Sequence, residues 1–352
     1  MDTTAQRYSV READLGADGE QLIRLWADNL LGLDDAAAKA KLEQSYRRNP
    51  VDGASVQLLE FAGEPQGAQG LNVRHFWRGE QRFRGVGFGD FVVNRGHRSL
   101  LPSLLLMRDC VRSATQRFDL AYGFPNDKAA GVCARGGLRE FGSLRRYATP
   151  LSSRTFLARR MPGPLASAVA TFVDTGLRAR EHLHRRREND RLDLRAVSWT
   201  DPLIDALWER RPRSLVFSER TSRILQWRFA ASSQGQWRVH AAHGAGHEAQ
   251  GYVIWRNHAG HAEVGDFFST DPGRWTAPLL RAFVQVARAE GLRSVSVEFC
   301  GARVVTDQLL AAGLAIRPER RQMFISKRLP SALDTLDTWY VTGFDDDDDA
   351  SR

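Results

Sequence analysis

Shifted by 176 residues, the chain overlays on itself without a gap. Residues 86–147 then sit over residues 262–323 with eleven identities in 62 positions, where composition alone gives roughly four. Gly89-Asp90-Phe91 meets Gly265-Asp266-Phe267, Arg98 meets Arg274, Pro102 meets Pro278, and Gly137-Leu138 meets Gly313-Leu314. Upstream, Ala68-Gln69-Gly70 answers Ala249-Gln250-Gly251 at an offset that puts five residues of length difference in the intervening hairpin. A period of this size implies two domain-sized units of one fold, each long enough to bury its own core.

The total of 352 residues suits two domains, and a chain with 42% hydrophobic and 26% charged residues is globular. Lys and Arg exceed Asp and Glu by 50 to 42. Without an interleaved aromatic and basic motif, that excess reads as an arginine-rich surface, and nucleic acid is not expected as a partner. Cys110, Cys133 and Cys300 stand singly in apolar runs, which points to reduced thiols and a cytoplasmic location. Met1-Asp2-Thr3-Thr4 has neither a basic nor an apolar start, so no signal peptide is expected, and no apolar run is long enough to span a membrane.

Periodicity supplies matching elements for the two copies. In the first, Tyr8–Ala13 reads as a strand, and Gly19–Leu30 and Ala36–Arg48 as helices. Three strand-like runs follow, Ser55–Ala62, Ala68–Trp77 and Arg82–Val93. The helix Leu101–Arg117 carries Pro102 in its first turn, the strand Phe118–Gly123 comes next, and Asp127–Gly136 is a short helix closed by glycine. Arg139–Leu151 is expected to complete this copy and Ile316–Lys327 the second. The expected domains are 1–160, a helical basic linker 161–190, 191–330, and a tail 331–352. A helix is expected over 165–183. The basic run 184–189 reads as solvated, and the aspartates Asp345–Asp349 as a disordered acidic end.

At this point the residues resemble a known family. Asp90-Phe91-Val92-Val93 leading through Arg98 into a long helix is similar to the GCN5-related N-acetyltransferase superfamily. So is Pro125-Asn126-Asp127-Lys128-Ala129 followed by Gly136-Gly137-Leu138. The resemblance implies an α/β fold of two tandem acyl-CoA N-acyltransferase-like domains, each a mixed, mostly antiparallel sheet flanked by helices. It implies a loop, here Arg98-Ser99-Leu100-Leu101-Pro102-Ser103, whose amides seat a donor's pyrophosphate at a helix start. The general physics is that free N–H groups and the helix dipole favour an anion there. Leu101 and Ser103 stand where the family has small flexible residues, and Cys133 where it has a tyrosine. In the second copy the loop begins Asp271-Pro272-Gly273, and Ala302 replaces Asn126, so that copy reads as structural or acceptor-binding.

The implied donor is acetyl-CoA or another acyl-CoA. The implied acceptor is an amine, on a small molecule or a cell-envelope precursor. Donor contacts fall to Phe91, Val92, Val93, His97, Arg98, Leu101, Ser103 and Asn126. Asp90 is either the base for the amine or a structural carboxylate. Tyr122 is either the acid for the leaving thiolate or a strand tyrosine with a satisfied hydroxyl. Tandem arrangements also resemble the transferases that build peptidoglycan bridges from aminoacyl-tRNA. A catalytically silent binding protein, bound to envelope polysaccharide, is the third reading. His240, His243 and His247 lack the helix that would bring them onto one face, so no metal is expected. Gly85-Val86-Gly87-Phe88-Gly89 lies inside a strand pattern and is no nucleotide fingerprint.

Overall fold

The chain's computed structural model describes residues 8–151, 191–230 and 236–346. The helix expected over 165–183, the basic run 184–189 and Asp347–Asp349 lie outside them. The first half runs β1 (Tyr8–Glu12), α1 (Gly19–Asn29), α2 (Asp35–Lys41) and a π-helical turn, Leu42–Arg47. It continues with β2 (Ser55–Phe61), β3 (Glu64–Arg78), β4 (Gln81–Val93), α3 (Leu100–Arg117), β5 (Leu120–Gly123), α4 (Asp127–Gly136) and β6 (Leu138–Pro150). The second half runs β7 (Asp193–Val197), α5 (Pro202–Glu209), β8 (Val216–Ser218), α6 (Ser222–Leu225) and another π-helical turn, Gln226–Ala230. Then come β9 (Arg238–His243), β10 (Ala249–His258), β11 (His261–Ser269), α7 (Pro272–Ala289), β12 (Ser294–Gly301), α8 (Arg303–Ala311) and β13 (Ala315–Ser326). A short strand, β14 (Trp339–Thr342), follows.

These elements pack as two compact units. One comprises 8–144, 213–230 and 320–346 of the described residues, the other 145–151, 191–212 and 236–319. In the first unit the strand order is β1-β2-β3-β4-β5-β13. Neighbours are antiparallel except for the parallel pair β4 and β5. In the second it is β7-β9-β10-β11-β12-β6, antiparallel except for the parallel pair β11 and β12. The closing strands therefore differ from expectation. Arg139–Leu151 does not complete the first copy's sheet: Arg145 to Pro150 pair with β12, while Phe324 and Ile325 of β13 pair with Gly123 and Tyr122 of β5.

Both faces of the first unit's sheet are covered. Leu22, Ile23, Leu25 and Trp26 of α1 join Leu42, Tyr46, Val56, Ala68 and Val92 in one apolar cluster. Each buried Leu, Ile or Val of this set contributes roughly 1.5–3 kcal/mol. The other face packs Met107 and Val111 of α3 with Cys133, Leu138, Phe324 and the partly buried Phe88 and Phe91. Strand alternation thus sends Phe91 to the α3 side and Val92 to the α1 side.

The tail corrects a second expectation. Asp345 and Asp346 are buried, not part of a solvated acidic end. Asp345 caps the turn after β14 in a capping box with Thr342 and meets the fully buried Arg220 at 3.0 Å. Arg220 also donates to the Ser218 carbonyl at 2.8 Å and lies under the Phe344 ring at 4.9 Å. Asp346 pairs with Arg321, and its carbonyl accepts from Arg228 at 2.7 Å. Burying carboxylates in this way requires matched cations, which the arginines supply.

Candidate active site

The parallel pairing of β4 and β5 runs from Gly85 and Leu120 to Phe88 and Gly123 and stops there. Strand β4 goes on to Val93, so residues 89–93 run past the last β5 pair with no β5 partner along that edge. Such an edge offers N–H and C=O groups for strand-like pairing with an extended amide ligand. Open α/β sheets likewise place ligands outside strand carboxyl ends.

Along this stretch β4 is bulged. Its pairing with β3 shifts between Ala68 and Gly70, and Asp90 takes φ +55°. A non-glycine residue in this region is strained unless its surroundings hold it, and bulges re-aim side chains next to active sites. Here the carboxylate is held from two sides. Lys41 Nζ lies 2.8 Å from one oxygen, and Tyr46 Oη donates to the other at 2.5 Å. Asn72 Nδ2 in turn donates to Tyr46 Oη at 3.5 Å, and the Tyr46 ring stacks on Trp26. Gly70 leaves room for this tyrosine, since a Cβ there would sit 1.6 Å from its hydroxyl.

Lys41 and Tyr46 went unrecognised in the sequence. Read as one α-helix over 36–48, residues five apart diverge by about 140° around the axis. The π-helical turn that begins after Lys41 uses i→i+5 bonding, which lets both side chains reach one carboxylate. A Gly at position 70 opposite an aromatic helix residue was the signal available.

The α3 start lies just beyond β4. Asn94 leads the 3-10 turn Arg95–His97 without capping it by its side chain; its amide donates to Gln66 Oε1 at 3.0 Å, and its oxygen accepts from Asn29 at 2.9 Å. Arg98 folds back, donating to the Val93 carbonyl at 3.2 Å and to Asn29 Oδ1 at 3.1 Å. His97 shares a 2.7 Å hydrogen bond with the Tyr8 hydroxyl. Ser99 is the N-cap residue, but no side chain caps the helix. Leu101 is exposed, whereas Ser103 is buried. In the second unit the corresponding start is occupied by its own anion: the Asp271 carboxylate accepts from the amides of Gly273 and Arg274.

Among the other sequence candidates, Phe91 and Val92 point to opposite faces of β4, as above, and Val93 is buried. Tyr122 is buried, packs edge-on against Phe76, and donates its hydroxyl to the Asp345 carbonyl at 3.3 Å. Asn126 is the N-cap of α4, its side chain accepting from Ala129 N at 3.0 Å. Asp90, Lys41 and Tyr46 are thus brought together, while Tyr122 and Asn126 bond elsewhere. Cys133 sits in the α3 and α4 cluster, where burial pushes its thiol up to about 12, a neutral group and a poor nucleophile.

A pocket on the same unit is lined by Arg74, His75, Glu219, Trp227 and Phe344. Burial alone would raise the Glu219 carboxyl, but hydrogen bonds from His75 at 3.2 Å and Thr221 at 3.1 Å outweigh it and hold it below its ordinary value. Among the described residues no group of three or more His, Cys, Asp or Glu side chains is placed to hold a metal ion. His240 accepts from the Trp255 indole at 3.1 Å, and His261 bonds Ser294 at 2.7 Å. No helix among the described residues is long and apolar enough to cross a membrane.

No protein-family model and no curated protein sequence matches the chain. Solved structures do. A conserved protein from Enterococcus faecalis, described as a probable N-acyltransferase, is similar at 12% identity over 90% of this chain and 71% of that one, with a TM-score of 0.62. A GCN5-related N-acetyltransferase from Anabaena variabilis is similar at 13% identity over 91% and 72%, with a TM-score of 0.63. One from Kribbella flavida is similar at 16% identity over 92% and 72%, with a TM-score of 0.57. Identities this low speak to architecture and to no particular reaction. The chain has the fold of the GCN5-related N-acetyltransferase superfamily.

Proposed function

We propose that the chain is a tandem N-acyltransferase that moves an acyl group from acetyl-CoA or another acyl-CoA to an amine acceptor. In this reading 1–160 is the donor-binding copy and 191–330 a degenerate one. The acceptor is a small molecule or an envelope precursor. The observation that supports it best is the contrast between two helix starts. The first turn of α3 has no capping side chain, whereas that of α7 is closed by Asp271. An uncapped start keeps its amide dipoles available to a diphosphate; a start holding its own carboxylate repels one.

The remaining roles follow from chemistry. Leu100 and Leu101 present amides to the diphosphate, and Pro102 has none to give. Arg98 lends positive potential at that end, His97 offers a ring nitrogen to a phosphate oxygen, and Ser103 and Asn126 shape the walls. The β4 edge at Phe91–Val93 pairs with the donor's amide chain, bringing its thioester toward the bulge. There Asp90 takes the proton of the attacking amine, and Tyr122 turns from the Asp345 carbonyl to give one to the leaving thiolate.

Thermal denaturation with CoA, acetyl-CoA and longer acyl-CoA esters tests the reading. A ligand at 100 times its dissociation constant adds about 2.7 kcal/mol of stability. No shift with any of them refutes it, and a salt-sensitive shift with tRNA alone favours an aminoacyl-tRNA donor.

A further inference from the structure

The chain's 50 basic residues include only four lysines, Lys39, Lys41, Lys128 and Lys327. Lys39, Lys128 and Lys327 are exposed. Lys41 is set apart: its side chain is 16% exposed, and its Nζ lies 2.8 Å from Asp90 at the bulge. Where this chain merely neutralises a carboxylate it uses arginine, as in Arg11 with Asp18, Arg220 with Asp345 and Arg256 with Glu263. The two cations differ chemically. A guanidinium stays protonated, but an ammonium can surrender a proton and become a nucleophilic amine.

Position supports the distinction. A donor laid from the α3 start back along Val93, Val92 and Phe91 reaches Asp90 after about 10 Å of strand. The Asp90 carboxylate, held by Tyr46 on its second oxygen, then faces an amine already in place. We infer that Lys41 is itself an acyl acceptor, acylated on Nζ by the thioester laid along this strand edge; the inference rests on the acyl-CoA reading above.

The step balances without further reagents. The Lys41 ammonium passes one proton to Asp90, and the free amine attacks the thioester carbon. The tetrahedral intermediate collapses as the C–S bond breaks. An amide forms, the second nitrogen proton goes to the thiolate to give free CoA thiol, and Asp90 returns its proton to solvent. Acylated Lys41 has lost its charge, so Asp90 keeps only the Tyr46 bond of the two described and opens toward an external amine. The modification would thus switch the carboxylate from an internal partner to the acceptor.

The full chain, incubated with acetyl-CoA at mildly alkaline pH, is mapped by peptide mass spectrometry, with acetyl-CoA binding followed in parallel by thermal shift. Lys41 is expected to be acetylated at least about tenfold faster than the three exposed lysines, which report uncatalysed chemistry. Asp90→Asn is expected to bring Lys41 down to their rate. Lys41→Arg removes the fast site and leaves the slow ones, a control that preserves the positive charge. If acetyl-CoA binds and Lys41 reacts no faster than its exposed counterparts, the inference is overturned and the donor reading stands. If acetyl-CoA does not bind, the donor reading itself has failed.

Discussion

Replacing Ser99 by aspartate would write into α3 the cap that Asp271 supplies to α7. Both residues hold extended backbone, φ −125° at Ser99 and −135° at Asp271, so the substitution imposes no new conformation. Asp271 accepts two amides, at the second and third helical positions. In α3 the third position is Pro102, so an aspartate at 99 gains only the Leu101 amide. That bond, with the dipole, should add about 0.5–1 kcal/mol to stability. For a diphosphate ligand the sign reverses. It loses a charge-assisted hydrogen bond, about 1.5–3 kcal/mol, and meets a like charge at close range. A net loss of about 2–4 kcal/mol weakens acetyl-CoA binding roughly 30- to 700-fold. Isothermal titration of both proteins with acetyl-CoA, and urea denaturation without ligand, measure the two halves. Opposite signs in the two experiments are the signature of a blocked anion seat. Unchanged affinity in a stable Ser99→Asp protein would refute the reasoning, because the helix start would then hold no part of the donor.

Three further outcomes are expected. Asp345→Ala strands the fully buried Arg220 guanidinium and should cost about 3–5 kcal/mol in urea denaturation; an unchanged midpoint would show that the ion pair contributes nothing. Gly70→Ala drives a methyl into the Tyr46 hydroxyl and should cost about 1–3 kcal/mol, read as a lowered thermal midpoint. Glu219 is depressed in the folded state. Its contribution is therefore present above its unfolded value of about 4.3 and is lost as pH falls through the lower folded value. Glu219→Gln should flatten the acid limb of a melting-temperature profile below about pH 4, and an identical limb in the variant would exclude this carboxylate as its source.

Much of the architecture was readable before any coordinates. The Gly-Asp-Phe pair and the ungapped overlay located β4 and β11, and the proline-led helix and glycine-closed α4 fell close to their expected bounds. What escaped was long-range choice. Strands β6 and β13 are similar in length and pattern, and nothing local tells either which parallel strand it will border. The repeat also did not show how its shared aspartates are held. Asp90 accepts Tyr46 from a helical turn, and Asp266 accepts Tyr252 from the neighbouring strand at 2.8 Å, so one repeated letter serves two environments. Lys41 and Tyr46 became partners only through a π-helical turn, which periodicity at 3.6 residues does not register. The buried Asp345 and Asp346 escaped because a run of aspartates gives no hint that Arg220 and Arg321 await it.

The traded closing strands set a timetable for synthesis. The Leu120–Gly123 edge receives its neighbour only when Phe324 and Ile325 have emerged, about 200 residues later. At roughly 5–20 residues per second that wait is on the order of 10–40 s, during which a nascent sheet border stays open to wrong partners. Cleavage anywhere within 161–190 would leave each fragment carrying the strand its counterpart lacks. Two such halves should therefore recover structure only when mixed.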